Sequence, residues 1–279
     1  MGVRYRSIKN KKMDTRIIEF SNAENQKLRG IITIPNDEIK IGVLCLHGFE
    51  RCATTEKKFK STADVLLNNH AATLRFDFSG CGLSDGDFKF TTIEKQGIEL
   101  INAIEVFQRE IKITKVSIIA HSLGACVLAN QLQKINNKID KIVLLSPALN
   151  QKELLRYWFV AGQMKKTNPS AEINWHNYKE HFIEEDFLSD CAKNGKTTKA
   201  NYINPEYFLS GKDLDYSNTF LDSDYRILHV HGNKDLAVPF DSLNIKFINQ
   251  IIVDGGDHDL EKPNQLDQWL PKVVSFLLS

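Results

Sequence analysis

The sequence predicts an α/β protein: a mostly parallel, twisted sheet with helices on both faces and an inserted, mainly helical lid. Short apolar runs rich in β-branched residues alternate with segments of helical period, the pattern of strands buried on both faces and joined by crossover helices. That alternation stops once, over residues 148–222, where charges interleave with bulky aromatics and no strong strand is legible. The polar and small residues able to do chemistry fall where strands end, the edge at which parallel sheets build their sites. The resulting division is a basic tail over 1–12, a core formed by 13–147 and 223–279, and a lid over 148–222.

Composition bounds the class. The chain has 279 residues, 42% of them hydrophobic and 25% charged, enough for one large core with an insertion. A formal net charge of +1 gives no electrostatic reason to expect nucleic acid or an anionic membrane as partner. Arg4, Arg6, Lys9, Lys11 and Lys12 read better as a solvated, disordered tail than as a nucleic-acid arm. The cysteines Cys45, Cys52, Cys81, Cys126 and Cys191 are odd in number and form no CxxC pair, so free thiols in a reducing cytoplasm are expected. No apolar run approaches the roughly 20 residues that span a bilayer, so neither a signal peptide nor stable membrane insertion is expected.

The elements follow in order. Residues 15–20 and 28–35 are β-rich runs around a polar turn, an antiparallel hairpin at the edge of the sheet. Residues 41–46 form a buried strand ending at His47-Gly48-Phe49, followed by a helix that presents Phe59, Ala63, Leu66 and Leu67. Residues 71–78 are the next strand. The glycines of the loop after it, Ser79 to Gly86, begin like a dinucleotide fingerprint, which fails where Asp85 replaces the third glycine. Thr91 or Thr92 opens a long amphipathic helix, with Glu94 completing a capping box to Thr91. Strands over 116–120 and 141–145 flank another helix, and the segment 148–222 then intervenes. Strands resume over 226–231 and 247–253. A helix with Leu266, Trp269, Leu270, Val273, Val274 and Leu277 on one face closes the chain.

The chemistry centres on Ala120-His121-Ser122-Leu123-Gly124, where a β-branched strand turns sharply into a helix. At such an elbow the serine hydroxyl is held clear of the backbone, which demands small neighbours; Gly124 and Ala125 satisfy this, and Ala120 stands where glycine is usual. Ser122, Asp235 and His258 each follow a strand, in the order expected for a nucleophile elbow on a parallel sheet. A serine hydroxyl attacks only when a neutral imidazole takes its proton, and a carboxylate must fix the tautomer of that imidazole. Two backbone N–H groups, those of Phe49 and Leu123, are assigned to the oxyanion. Bland roles fit the rivals better: His121 as packing, His229 and His231 as structural, Asp77 as a support for its loop, and Cys81 and Cys126 as buried filler. Asp257 and Asp259 share a turn with His258, so Asp235 is favoured as the acid. The aromatics Trp158, Phe159, Trp175, Tyr178, Phe182, Tyr202, Tyr207 and Phe208 either line an acyl or aryl pocket or form a core of the lid.

With His47-Gly48-Phe49, Arg75-Phe76-Asp77, the glycine loop 80–86, the elbow, the segment His231 to Pro239 and Gly256-Asp257-His258 in place, the chain resembles the α/β-hydrolase-fold serine hydrolases. It is most similar there to small cytoplasmic esterases of the cinnamoyl or feruloyl type and to serine aminopeptidase-like hydrolases. The resemblance implies cleavage of a small or medium carboxylic ester through an acyl-enzyme on Ser122, with no metal or cofactor. A thioesterase or peptidase would use the same triad, and a binding protein that has lost turnover would keep the same fold.

Overall fold

A computed structural model describes residues 13–193, 195–198, 201–221, 223–243 and 245–279; the tail expected over 1–12 lies outside the described residues. Strands β1 (Asp14–Ser21) and β2 (Lys27–Ile34) pair antiparallel as the expected hairpin. The core strands are β3 (Ile41–Leu46), β4 (Ala71–Phe76), β5 (Val116–His121), β6 (Ile139–Leu145), β9 (Arg226–Gly232) and β10 (Gln250–Val253). Together they form an 8-stranded sheet in the order β1-β2-β4-β3-β5-β6-β9-β10, parallel from β4 to β10. From β3 the chain moves outward to β4, then returns to lay β5 on the other side of β3. Such a reversal leaves the loops after β3 and β5 diverging from a crevice between them, and ligands of open α/β sheets bind there.

Alternation within the strands sorts side chains to two cores. Leu44, Leu46, Ile118, Leu144 and Phe76 face α2 (Ile93–Ile111) and α3 (Leu123–Gln131). Val43, Cys45, Ile119, Val143 and Val230 face α1 (Lys57–Leu67) and α7 (Pro263–Leu278), where Trp269 is fully buried. Adjacent residues of one strand point to opposite faces, so a continuous apolar run signals helices on both.

Two local expectations need correcting. Glu94 forms no capping box: Thr92 is the N-cap of α2, its hydroxyl accepting from Lys95 N at 3.1 Å, while Thr91 Oγ1 accepts from Gln96 Nε2. The last strand is shorter than 247–253, beginning at Gln250; Phe247 instead packs its ring on His229 at 5.0 Å.

Between β6 and β9 lie α4 (Gln151–Thr167), α5 (Glu184–Ala192), the two-residue strands β7 (Lys196–Thr197) and β8 (Tyr202–Ile203), and α6 (Pro205–Gly211). This segment is mainly helical, as expected, and its apolar side chains divide: Tyr157, Val160 and Tyr178 form a small cluster of the segment's own with Ile173, Trp175 and Phe182, while others reach the main core. Leu149, Leu155, Phe187, Ile203, Tyr207 and Phe220 join the cluster that packs against the sheet. The apparent loss of rhythm in the sequence reflects short helices that divide their aromatics between the main core and this local cluster.

Candidate active site

Ser122 sits at the turn from β5 to α3 with φ +53° and ψ −119°, a conformation that non-glycine residues adopt only under constraint. The constraint comes from both sides. Ser122 N–H donates to Leu145 O at 3.0 Å, and the Ser122 carbonyl accepts from Ala125 N and Ala148 N, each at 3.1 Å. Gly124 lets α3 approach β3: a Cβ there would lie 2.8 Å from His47 O and 2.9 Å from Leu46 O. Ala120 is fully buried, and its methyl is accommodated in the core beneath the turn.

The structure brings Ser122, His258 and Asp235 together. Ser122 Oγ lies 2.9 Å from His258 Nε2, and His258 Nδ1 lies 2.8 Å from Asp235 Oδ2. Asp235 Oδ1 accepts from the Ala237 and Val238 amides at 3.0 and 2.8 Å, which pins the carboxylate within its own turn. Burial alone would raise the Asp235 carboxyl, but hydrogen bonds from His231 and His258 hold it well below the usual carboxylate range. Asp257 and Asp259 face elsewhere: Asp257 pairs with Lys262 Nζ at 2.8 Å, and Asp259 with Arg51 at 2.6 Å.

The neighbouring histidines are structural, each in a defined way. His121 Nε2–H donates to the His258 carbonyl at 2.9 Å, and burial lowers its ring well below ordinary histidine, so it supports the His258 backbone as a neutral ring. His231 Nε2–H donates to Val238 O at 2.8 Å and lies 3.4 Å from Asp235 Oδ2. With that proton fixed, His231 Nδ1 accepts from His229 Nε2 at 3.1 Å. Asp77 supports its loop as read, accepting from Thr54 N, Thr54 Oγ1 and Leu83 N.

The two expected oxyanion donors lie at the ends of β5 and β3. Leu123 is the first residue of α3, whose leading N–H groups have no intrahelical acceptor. Neither its amide nor that of Phe49 has a hydrogen-bond acceptor among the described residues. His47, which sequence reasoning passed over, orients the second donor. Its Nδ1–H donates to Gly48 O at 2.8 Å and its Nε2 accepts from Phe78 N at 3.0 Å. The Gly48 carbonyl and Phe49 N–H share one planar trans peptide, so holding the carbonyl toward His47 turns the N–H the opposite way. A fixed glycine–histidine contact of this kind has no motif of its own beyond the dipeptide.

A cavity of about 420 Å³ opens over Ser122 and His258. Of the aromatics singled out in the sequence, Trp158, Phe159, Tyr207 and Phe208 line it. Trp175 and Tyr178 do not; they meet Tyr157 edge-on, and Tyr178 O–H donates to Glu153 at 2.6 Å. Leu155 and Phe187 also line the cavity and were missed, since as ordinary buried helix residues they carry no distinguishing signal. The charged side chains of the lining are Arg51 and Lys196, with no carboxylate among the described lining residues. Burial pushes the Cys81 and Cys126 thiols up, away from thiolate chemistry. Among the described residues, no group of His, Cys, Asp or Glu could hold a metal ion, and no helix is long and apolar enough to cross a membrane.

Solved structures share this architecture, the α/β-hydrolase fold. Est1E from Butyrivibrio proteoclasticus, solved with ferulic acid bound, is 19% identical with a TM-score of 0.73, over 94% of this chain and 98% of that one. An esterase from Pyrococcus furiosus is 19% identical with a TM-score of 0.62, over 99% and 95%. The mouse α/β hydrolase domain-containing protein 10 is 13% identical with a TM-score of 0.66, over 94% and 98%. At these identities the likeness is one of fold. No curated protein matches. Residues 37–203, more than half of the chain, match the family described as serine aminopeptidase, S33, and the chain belongs to that family of serine hydrolases.

Proposed function

We propose that the protein is a carboxylic ester hydrolase that works through an acyl-enzyme on Ser122, with His258 as base and Asp235 as the acid that orients it. The observation that carries this reading is the hydrogen-bond series Asp235 Oδ2, His258 Nδ1, His258 Nε2, Ser122 Oγ, with links of 2.8 and 2.9 Å. His258 Nε2 takes the hydroxyl proton as Oγ attacks the ester carbonyl, and the oxygen that becomes negative accepts from Phe49 and Leu123 N–H. Collapse expels the alcohol, which leaves with the proton from His258. Water then repeats the sequence at the acyl group and releases the acid. This chemistry requires neither metal nor cofactor.

The walls of the cavity support ester over aminopeptide substrates. A peptide with a free α-ammonium needs an anionic partner when desolvated, whereas the charged lining groups here are Arg51 and Lys196. The segment 148–222 acts as the lid that sets substrate choice, a role supported by Leu155, Trp158, Phe159, Phe187, Tyr207 and Phe208 on the cavity wall. Five free cysteines support a reducing, cytoplasmic location.

The test combines labelling with turnover. Wild type should react with a fluorophosphonate at Ser122 and hydrolyse p-nitrophenyl esters, and Ser122→Ala should fold normally with kcat lower by about 10⁴- to 10⁶-fold. Activity of Ser122→Ala within tenfold of wild type refutes the nucleophile. A panel that turns over thioesters in preference to oxygen esters would move the substrate class while keeping the triad.

A further inference from the structure

Phe159 stands in the wall of two cavities. On one side is the chamber over Ser122; on the other, a groove of about 390 Å³ runs between the C-terminal half of α4 and the outer face of α5. The two helices meet through aromatic rings, with Phe159 edge-on to Phe187 at 5.6 Å. Phe187 belongs to the inner chamber, whereas Asp186 and Ser189, around the same helix, line the groove. The seam between α4 and α5 is thus a septum with the catalytic chamber behind it.

The groove is built in two zones. Its floor continues the apolar surface of the chamber through Val160, Met164 and Ile183. Ile183 is 54% exposed, apolar surface left uncovered beside the groove. Its rim is polar, with Gln163, Thr167, His181, Asp186, Ser189 and Lys193. An apolar floor reached from an apolar chamber fits an unbranched hydrocarbon chain, and a polar rim at the far end fits a terminus that stays hydrated. Phe159 is half-buried and lines both spaces, and its side chain has two rotatable bonds about which the ring can turn.

We propose that this groove is the outer half of the acyl site, that it takes the distal part of long straight-chain acyl groups, and that Phe159 is the gate limiting their entry. The inference rests on the ester-hydrolase reading and deepens it by naming a substrate class and a specificity-determining residue. Wild type should accept long acyl chains at a cost in rate relative to short ones, because the ring must turn aside.

The experiment measures kcat/KM of the full chain for p-nitrophenyl esters from butanoyl to hexadecanoyl, with the active sites of each variant titrated by a fluorophosphonate. Phe159→Ala should raise the ratio of dodecanoyl to butanoyl activity by about tenfold or more. Adding Gln163→Trp, which fills the groove, should return that ratio to the wild-type value. If Phe159→Ala folds poorly, Phe159→Leu gives a smaller change in the same direction. An unchanged ratio in a labelled variant overturns the gate, and a gain that persists in the double variant overturns the groove as the place the chain goes. Absence of both labelling and ester turnover in wild type overturns the hydrolase reading itself, a result distinct from intact labelling with a flat length profile.

Discussion

A serine hydroxyl in water is a poor nucleophile, so the activity proposed for Ser122 depends on which carboxylate fixes the tautomer of His258. The sequence offers Asp235, Asp257 and Asp259 for that part, and the structure separates them by what each already holds. Asp235 is buried, with one oxygen on two backbone amides and the other on His258 Nδ1, whereas Asp257 is committed to Lys262 and Asp259 to Arg51. Asp235→Asn presents an amide where an acceptor is needed and should lower kcat by about 10²- to 10⁴-fold. Asp257→Asn should stay within about tenfold of wild type, because only a surface ion pair is lost. Measuring both with one chromogenic ester decides the matter, and the reverse ranking would transfer the acid to Asp257. His231 belongs to the same account at one remove: it holds Val238 O at the end of the Asp235 turn, and His229 holds its other nitrogen.

At the scale of elements, the proposed oxyanion site is a meeting of two strand ends, and glycine at one of them sets the separation. A Cβ on Gly48 would lie 2.9 Å from Ser122 Cβ, 3.2 Å from His121 Nδ1 and 3.4 Å from Ser122 Oγ. The loop after β3 would have to retreat by a few tenths of an ångström, carrying Phe49 N–H off its aim. Gly48→Ala should therefore reduce kcat by about 10²-fold or more, the cost of one misplaced oxyanion donor, with thermal stability nearly unchanged. Rate and melting temperature measured on the same preparation check it; a rate within twofold of wild type would remove the Phe49 amide from the mechanism. Much of this geometry was legible in the sequence. Continuous apolar runs such as 41–46 identify strands buried on both faces, and the small residues around Ser122 announce the elbow. The order of the strands was not legible, because pairing of β3 with both β4 and β5 is decided by contacts far apart in the chain. Thr91 and Thr92 offer the same cap chemistry, and only backbone geometry selects between them. The shared core of the segment 148–222 was hidden for a related reason: a Leu155 or Phe187 buried on a distant sheet looks in sequence like one buried in a local bundle.

Across the whole molecule, the site is surrounded by histidines kept neutral by burial, and that has a consequence for stability. Burial lowers His47 at the end of β3, His121 at the end of β5 and His229 in β9; the last falls to about 3, with neighbouring His231 adding to the effect. An unfolded chain protonates a histidine near pH 6.5. Below that pH the unfolded state binds protons that the folded state refuses, so stability is fully present above about 6.5 and is lost as pH falls toward the folded values. For one strongly depressed histidine such as His229 the loss between pH 7 and 5 is about 2 kcal/mol, and the lowering of His121 and His47 acts in the same direction. Carboxylates add little to this loss at pH 5, since depressed groups such as Asp235 lose their contribution only below about pH 4. The protein should therefore be markedly less stable to urea at pH 5 than at pH 7. His229→Gln isolates one share, because glutamine keeps a donor for His231 Nδ1 but cannot take up a proton. Whatever the substitution costs at pH 7, the fall in unfolding free energy from pH 7 to 5 should be smaller by about 2 kcal/mol than in wild type. An identical fall in both proteins would mean that His229 is protonated in the folded state and that the buried histidines do not set the acid limit of the fold.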